Sequence, residues 1–156
     1  MPIATRATIK EFLNQKRIAI VGVSRDPKDF TRAVFDEFRK RGYAVVPVNP
    51  GVKEIDGLTC YARVPDITPK VDGVLIMTTP QVTDQIVRDC AEAGVKRVWM
   101  HKGEGLGAVS QSAIEYCQQN GISVIDGQCP FMFLPQTMFL HRMHGFAKRV
   151  TGSYPA

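Results

Sequence analysis

The sequence predicts an α/β fold: one domain with a mainly parallel, doubly wound sheet and helices on both faces. Two observations carry this expectation. The succession helix, glycine, apolar strand occurs three times, at Gly42, Gly94 and Gly121, and each glycine fits the left-handed position that ends a helix. A further apolar run at 73–77 supplies another buried strand. Alternation of this kind implies a parallel sheet with right-handed crossovers. At 156 residues the chain is large enough for a proper core, and it reads as a single domain, 1–156, with its core over about 12–131 and a helical tail over 132–156.

Ile9, Phe12 and Leu13 stand at helical spacing within 6–15, which predicts a short leading helix. The apolar and β-branched run 18–23 is the first strand. A polar loop, 24–29, feeds a helix over 31–41, with Val34, Phe35 and Phe38 on one face and Asp36, Glu37, Arg39 and Lys40 on the other. Residues 43–48 read as the next strand. Between 49 and 72 the pattern is broken by Pro50, Gly51, Gly57, Pro65 and Pro69; a short edge strand is expected at 58–61, and no full βαβ crossover. Thr79-Pro80 reads as an N-cap with proline at the first helical position. Val82, Ile86, Val87 and Cys90 outline the apolar face of the helix before strand 95–100. Val109, Ala113, Ile114 and Cys117 do the same before strand 122–125. The tail from Phe131 is apolar and aromatic with basic interruptions, and a helix packing on the domain or on a second copy is expected there, so a homodimer is one expected assembly.

Hydrophobic residues at 44% and charged residues at 22% describe an ordinary globular protein rather than a disordered or coiled-coil chain. No run approaches the ~18 apolar residues of a membrane span, and no basic region followed by an apolar one suggests export. The four cysteines, Cys60, Cys90, Cys117 and Cys129, form no CxxC, which fits reduced thiols in a cytoplasmic protein. The net charge of +5 comes from scattered Lys and Arg with no long basic run, so no nucleic-acid partner is expected. His141 and His144 are three apart but lack a Cys or carboxylate partner at fitting spacing, so no metal is expected. Cys129-Pro130 has no histidine nearby in sequence. No general acid–base pair or activated nucleophile stands out, and no residue is assigned a catalytic role.

The functional signal lies at the first βα corner. A strand, a glycine-marked turn at Gly22 and a helix bring backbone N–H groups and a helix N-terminus to the strand's carboxyl end, an arrangement that suits a phosphate. Arg25, Lys28 and Arg32 add positive charge, although Asp26 and Asp29 are available to balance it. In open parallel sheets a ligand lies across the carboxyl ends of the strands, here 22–29, 48–51, 77–80 and 100–103. NAD does not fit. Ser24 and Pro27 replace the second and third glycines of the dinucleotide fingerprint, and the second strand ends Val48-Asn49-Pro50 without the carboxylate that binds ribose hydroxyls. A ligand with an extra phosphate near its ribose suits that loss. NADP and coenzyme A (CoA) both meet the description.

Gly22 and Ser24 after the first strand, Val-Asn-Pro at 48–50, the Thr-Pro loop at 78–80, Val98-Trp99 and Cys129-Pro130 appear in an order and spacing that resembles the CoA-binding domain proteins. These are stand-alone relatives of the N-terminal domain of the succinyl-CoA synthetase α subunit. The resemblance spans about 12–131 and implies a Rossmann-like fold with CoA or an acyl-CoA at the strand ends. It implies that Gly22, Val23, Ser24 and Arg25 hold phosphates, with Lys28 and Arg32 as aids. Val48, Asn49 and Pro50 would line the adenosine side, and Thr78, Thr79 and Pro80 would border the pantetheine or base. The synthetase's Thr-Glu-Gly loop reads His101-Lys102-Gly103 here, and Lys102 joins the ligand set. The synthetase lysine after the proline loop has only Lys53 as a counterpart. Glycines at 103, 105 and 107 suit a second phosphate cradle or a rim loop equally. The synthetase's second domain and ATP-grasp machinery do not fit in the residues after Phe131. The expectation is therefore a non-catalytic CoA-binding protein, acting as carrier, sensor or regulatory subunit. The alternative is an NADP-dependent reductase or a partner-dependent acyl-CoA transferase or ligase component.

Overall fold

The computed structural model describes residues 4–102 and 107–134. Helix α1 (Arg6–Leu13) leads into strand β1 (Arg17–Val21), helix α2 (Phe30–Lys40) and strand β2 (Ala44–Val48). Two-residue strands β3 (Glu54–Ile55) and β4 (Leu58–Thr59) follow, then β5 (Gly73–Ile76), α3 (Pro80–Glu92), β6 (Arg97–Met100), α4 (Gln111–Gln119) and β7 (Ser123–Asp126). The five longer strands form one parallel sheet in the order β2-β1-β5-β6-β7. The chain moves outward from β1 to β2 and then returns to the other side of β1 at β5, so the strand order reverses between β1 and β5.

Alternation along each strand builds two cores. Ile18 and Ile20 of β1 face one way, joining Leu75, Trp99 and Ile125 beneath Ile9 and Phe12 of α1 and Val34, Phe35 and Phe38 of α2. Ala19 and Val21 face the other way with Val74, Ile76, Val98 and Met100, under Val87 and Cys90 of α3 and Ala113, Ile114 and Cys117 of α4. Each such side chain contributes about 1.5–3 kcal/mol on burial, and burial on both faces explains why the strands read as unbroken apolar runs. Phe12 packs edge-on against Trp99, 5.4 Å between ring centres. Gly73 leaves the room this requires, since a Cβ there would lie 2.9 Å from the Phe12 ring.

Several local expectations change. Val82 is 46% exposed rather than part of the α3 core face, and Val109 precedes α4, whose N-cap is Ser110. The expected edge strand at 58–61 divides. Leu58–Thr59 pairs antiparallel with Glu54–Ile55 across an Asp56-Gly57 turn, and Tyr61 makes an isolated parallel bridge to Val48. The turn holds Asp56 and Gly57 at φ 49° and 79°, the conformation that a two-residue hairpin needs. No α-helix crosses between β2 and β5; a short 3-10 turn, Val64–Asp66, stands there instead. Its neighbour Arg63 fastens it to α3 through Asp89, at 2.6 Å. All four cysteines are buried, and Cys60, Cys90 and Cys117 are free thiols. Beyond β7 only a 3-10 turn, Pro130–Met132, and residues to Leu134 are described. The expected tail helix, with His141 and His144, lies outside the described residues, as do 103–106 of the glycine-rich loop.

Candidate functional site

In open parallel sheets a strand reversal marks the crevice at the strand ends; here it falls between β1 and β5, where Gly22 stands. Its N–H donates to the Val48 carbonyl at 2.8 Å, which joins the corner to the end of β2. On the other side a Cβ at Gly22 would stand 2.8 Å from the Met77 carbonyl oxygen and 3.2 Å from Thr78 Cγ2, and its φ is +98°. Only glycine combines that backbone conformation with so close an approach. The segments at 22–25, 48–50 and 77–80 therefore converge, while the sequence separates them by some tens of residues.

The loop after Gly22 is braced by its own side chains. Ser24 N–H donates to Thr31 Oγ1, Asp26 N–H to Ser24 Oγ and Lys28 N–H to Asp26 Oδ1. Asp29 caps α2, accepting from Thr31 N–H at 2.9 Å and from Thr31 Oγ1 at 2.7 Å. These bonds hold the Asp29 carboxyl below the usual carboxylate range. The aspartates thus serve backbone and hydroxyl donors, not the loop cations. Arg25 and Lys28 are exposed and have no ion pair among the described residues. The N–H groups of Val23, Arg25 and Phe30 donate to nothing among the described residues. Three open donors and two cations without an ion pair among the described residues thus stand at or just before the start of α2, a kind of place that suits an anion.

Arg32 stands differently. It is 4% exposed, and its guanidinium donates to Asp56 Oδ2 at 2.6 Å and to the Arg25 carbonyl at 3.3 Å. Its part in the corner is a brace between the β3–β4 turn and the loop, where the sequence suggested a loop cation. Sequence reasoning did not pick out Asp56, although an Asp-Gly turn facing a helix N-terminus was its only available signal.

Asn49 is also committed to the framework. Its Nδ2 donates to the Val23 carbonyl at 2.9 Å, and its Oδ1 accepts from Gly51 N–H at 3.0 Å. The amide occupies the strand end where a ribose-binding carboxylate stands in NAD sites, and ties β2 to the first corner. Val48 is buried and Pro50 exposed beside it. Across the crevice Pro80 is the first residue of α3, but Thr79 makes no side-chain cap. Thr79 is exposed, and Thr78 Oγ1 lies 3.2 Å from Thr83 Oγ1. Lys102 is not gathered with this group. Its N–H donates to the Gln128 carbonyl at 3.2 Å, so it stands beside the end of β7, beyond β5 and β6.

Three of the four thiols are poor nucleophiles. Burial raises the thiol pKa values of Cys60 and Cys90 and takes that of Cys117 up to about 11, so these thiols stay protonated. The Asp84 carboxylate, lowered by bonds from Ser110 and Ser112, links α3 to the start of α4. Among the described residues no group of three or more His, Cys, Asp or Glu is placed to hold a metal, and no helix is long and apolar enough to cross a membrane.

Comparison with known proteins agrees with this fold. Residues 16–135 match the family described as "CoA binding domain". The chain is 30% identical over 125 residues to the α subunit of an ADP-forming acetate–CoA ligase II of Pyrococcus furiosus, covering 76% of this chain but 27% of that subunit. It spans about a quarter of that relative. It is 27% identical over 126 residues to the uncharacterized protein YneT of Bacillus subtilis, covering 80% of this chain and 90% of that protein. A hypothetical protein from Pyrococcus horikoshii superposes with a TM-score of 0.76 at 30% identity, over 83% of this chain and 91% of that one. With three-quarters of its length, residues 16–135, matched by that family, the chain belongs to the CoA-binding domain family.

Proposed function

We propose that the protein binds coenzyme A or an acyl-CoA without transforming it, holding the phosphates at the corner after β1. The observation that carries this is the combination at that corner of open N–H groups at Val23, Arg25 and Phe30 with the unpaired cations Arg25 and Lys28. The absence of a carboxylate at the end of β2, where Asn49 stands, favours a ligand with an extra phosphate near its ribose. Val48, Asn49 and Pro50 line the adenosine side in this reading, and Thr78, Thr79 and Pro80 border the arm. Buried, protonated thiols support a binding role and suit a reducing cytoplasm.

A second reading has one specific support, the similarity to the α subunit of an acetate–CoA ligase. In it the chain presents CoA to a partner that supplies the chemistry. Thermal unfolding in parallel with CoA, acetyl-CoA, NAD and NADP tests the first reading, because a ligand that binds only the folded state raises its melting temperature. CoA and acetyl-CoA are expected to raise it and NAD to leave it unmoved. A rise with NADP and none with CoA overturns the proposal.

A further inference from the structure

The strands of the main sheet all run parallel, so the residues before each strand gather at its amino edge, opposite the corner after β1. Across four neighbouring strands that edge is lined with cations. Arg41 precedes β2, Lys16 and Arg17 open β1, Lys70 precedes β5, and Lys96 and Arg97 open β6. With neighbouring strands about 4.8 Å apart, the row runs for roughly 15 Å. The arginines are engaged: Arg17 with the Pro69 carbonyl, Arg97 with Glu11 at 2.9 Å and Arg41 with Glu37 at 3.0 Å. Lys16, Lys70 and Lys96 are exposed and make no ion pair or side-chain hydrogen bond among the described residues. The field of a helix C-terminus accounts for Arg39 and Lys40 in the last turn of α2, but Lys16 and Lys96 stand outside any helix.

One end of the row is hollow. Between the ends of α1 and α2 a cavity of about 210 Å³ is lined by Gln15, Lys16, Arg41, Gly42 and Tyr43. Tyr43 is a fixed wall, its hydroxyl donating to the Leu13 carbonyl and its ring packing edge-on against Phe38 at 5.0 Å. Glu37 engages Arg41 through Nε, and Lys16 is the second cation of the lining. Two cations and an amide around a small cavity suit a carboxylate. Acids also stand in the row: Glu11, Glu37 and Asp72, which accepts from Arg17 N–H. A polyphosphate chain, charged at every step, meets these as like charges. A polypeptide can set carboxylates against the lysines and other residues against the acids.

We propose that the amino edge is a docking surface for an acidic segment of another protein, with one carboxylate side chain of that segment seated in the cavity between Lys16 and Arg41. The surface is independent of the CoA reading and leaves the corner after β1 free.

Binding of a labelled peptide of alternating Glu and Ser, followed by fluorescence anisotropy, tests this, beside single-stranded oligothymidylate of equal charge. Two double variants remove equal charge from opposite edges: Lys16→Ala with Lys96→Ala, and Arg25→Ala with Lys28→Ala. All four side chains are exposed without an ion pair among the described residues, so both variants are expected to keep the wild-type urea midpoint. The first should bind the peptide about three- to tenfold more weakly, the combined range of two exposed ion pairs, and the second should bind it as wild type does. Lys16→Ala alone should cost more than Lys96→Ala alone, because Lys16 lines the cavity.

Backbone amide spectra of wild-type protein give a readout free of any variant. Signals of Lys16, Arg41, Tyr43 and Arg97 are expected to move with the peptide, and those of residues 22–25 to stay. Equal losses in the two double variants reduce the attraction to net charge and overturn the proposal. Unchanged affinity in the first variant, peptide-induced shifts confined to 22–25, or no binding by wild type at low salt overturns it too. Oligothymidylate bound as tightly as the peptide, and weakened in the first variant, makes the occupant a nucleic acid and overturns the assignment to a protein.

Discussion

Gly22 and His101 are unusual in opposite ways, one for lacking a side chain where the chain turns and one for burying a polar one. Gly22→Ala forces a Cβ to 2.8 Å from the Met77 carbonyl oxygen at a φ of +98°. It is expected to destabilise the fold by about 1–3 kcal/mol, seen as a lower urea midpoint, and to weaken CoA binding; an unchanged midpoint contradicts the close approach. Burial holds the His101 pKa at about 4, against 6.5 for a free imidazole. Between those values the unfolded chain takes up a proton that the folded chain refuses. The associated stability is complete above about pH 6.5 and is lost as pH falls toward about 4, on the order of 3 kcal/mol in all. Urea unfolding at about pH 7.5 and about pH 4.5 should show that loss in wild-type protein and a smaller one in His101→Gln. Equal losses in both proteins would remove His101 from the account. Gly22 was legible from sequence because a glycine after an apolar run has few other uses. The exposure of Phe30 and the burial of His101 were not, since both depend on residues distant in sequence.

At the scale of elements, α2 and the β3–β4 hairpin act together. The helix brings its N-terminus to the crevice because Asp29 caps it, and the hairpin is held there by the Arg32–Asp56 pair, 5% and 46% exposed at the two side chains. Asp56→Ala leaves a buried guanidinium without its counter-ion. Because the carboxylate is half exposed, the expected cost is only about 1–2 kcal/mol, read by urea unfolding, and a change below a few tenths contradicts the clamp. The three helix-glycine-strand units were readable because amphipathic spacing and helix-ending glycines are local signals. The hairpin was read as one edge strand because two-residue strands carry too little periodicity to register. Val82 fits the core face of α3 by its spacing alone. It lies in the first turn and is 46% exposed, with no described element covering it.

At the scale of the whole molecule, the parallel sheet sets two helix N-termini on opposite faces at one edge, where the loop cations also stand. Arg25 and Lys28 are exposed and have no ion pair among the described residues, so any attraction they exert on phosphates is open to screening by salt. Binding of CoA should weaken as ionic strength rises, and replacing both residues by Ala should weaken it further and flatten that dependence. An unchanged salt slope in the double variant removes them from the site. Arg32→Ala is expected to act through stability more than through the slope, because its charge is already spent on Asp56.

The amino-acid sequence by itself determined the alternation of elements, the two-faced core and the missing carboxylate at the end of β2, because hydrophobic period, helix-ending glycine and residue type are properties of short segments. The tertiary structure alone decided that strand order reverses at β1 and β5, that Arg32 braces Asp56, that Lys102 stands apart from the first corner, and that an unbonded imidazole lies beneath Phe30. Each of these is a meeting of residues far apart in the chain, and packing and strand order choose such partners where local propensity cannot.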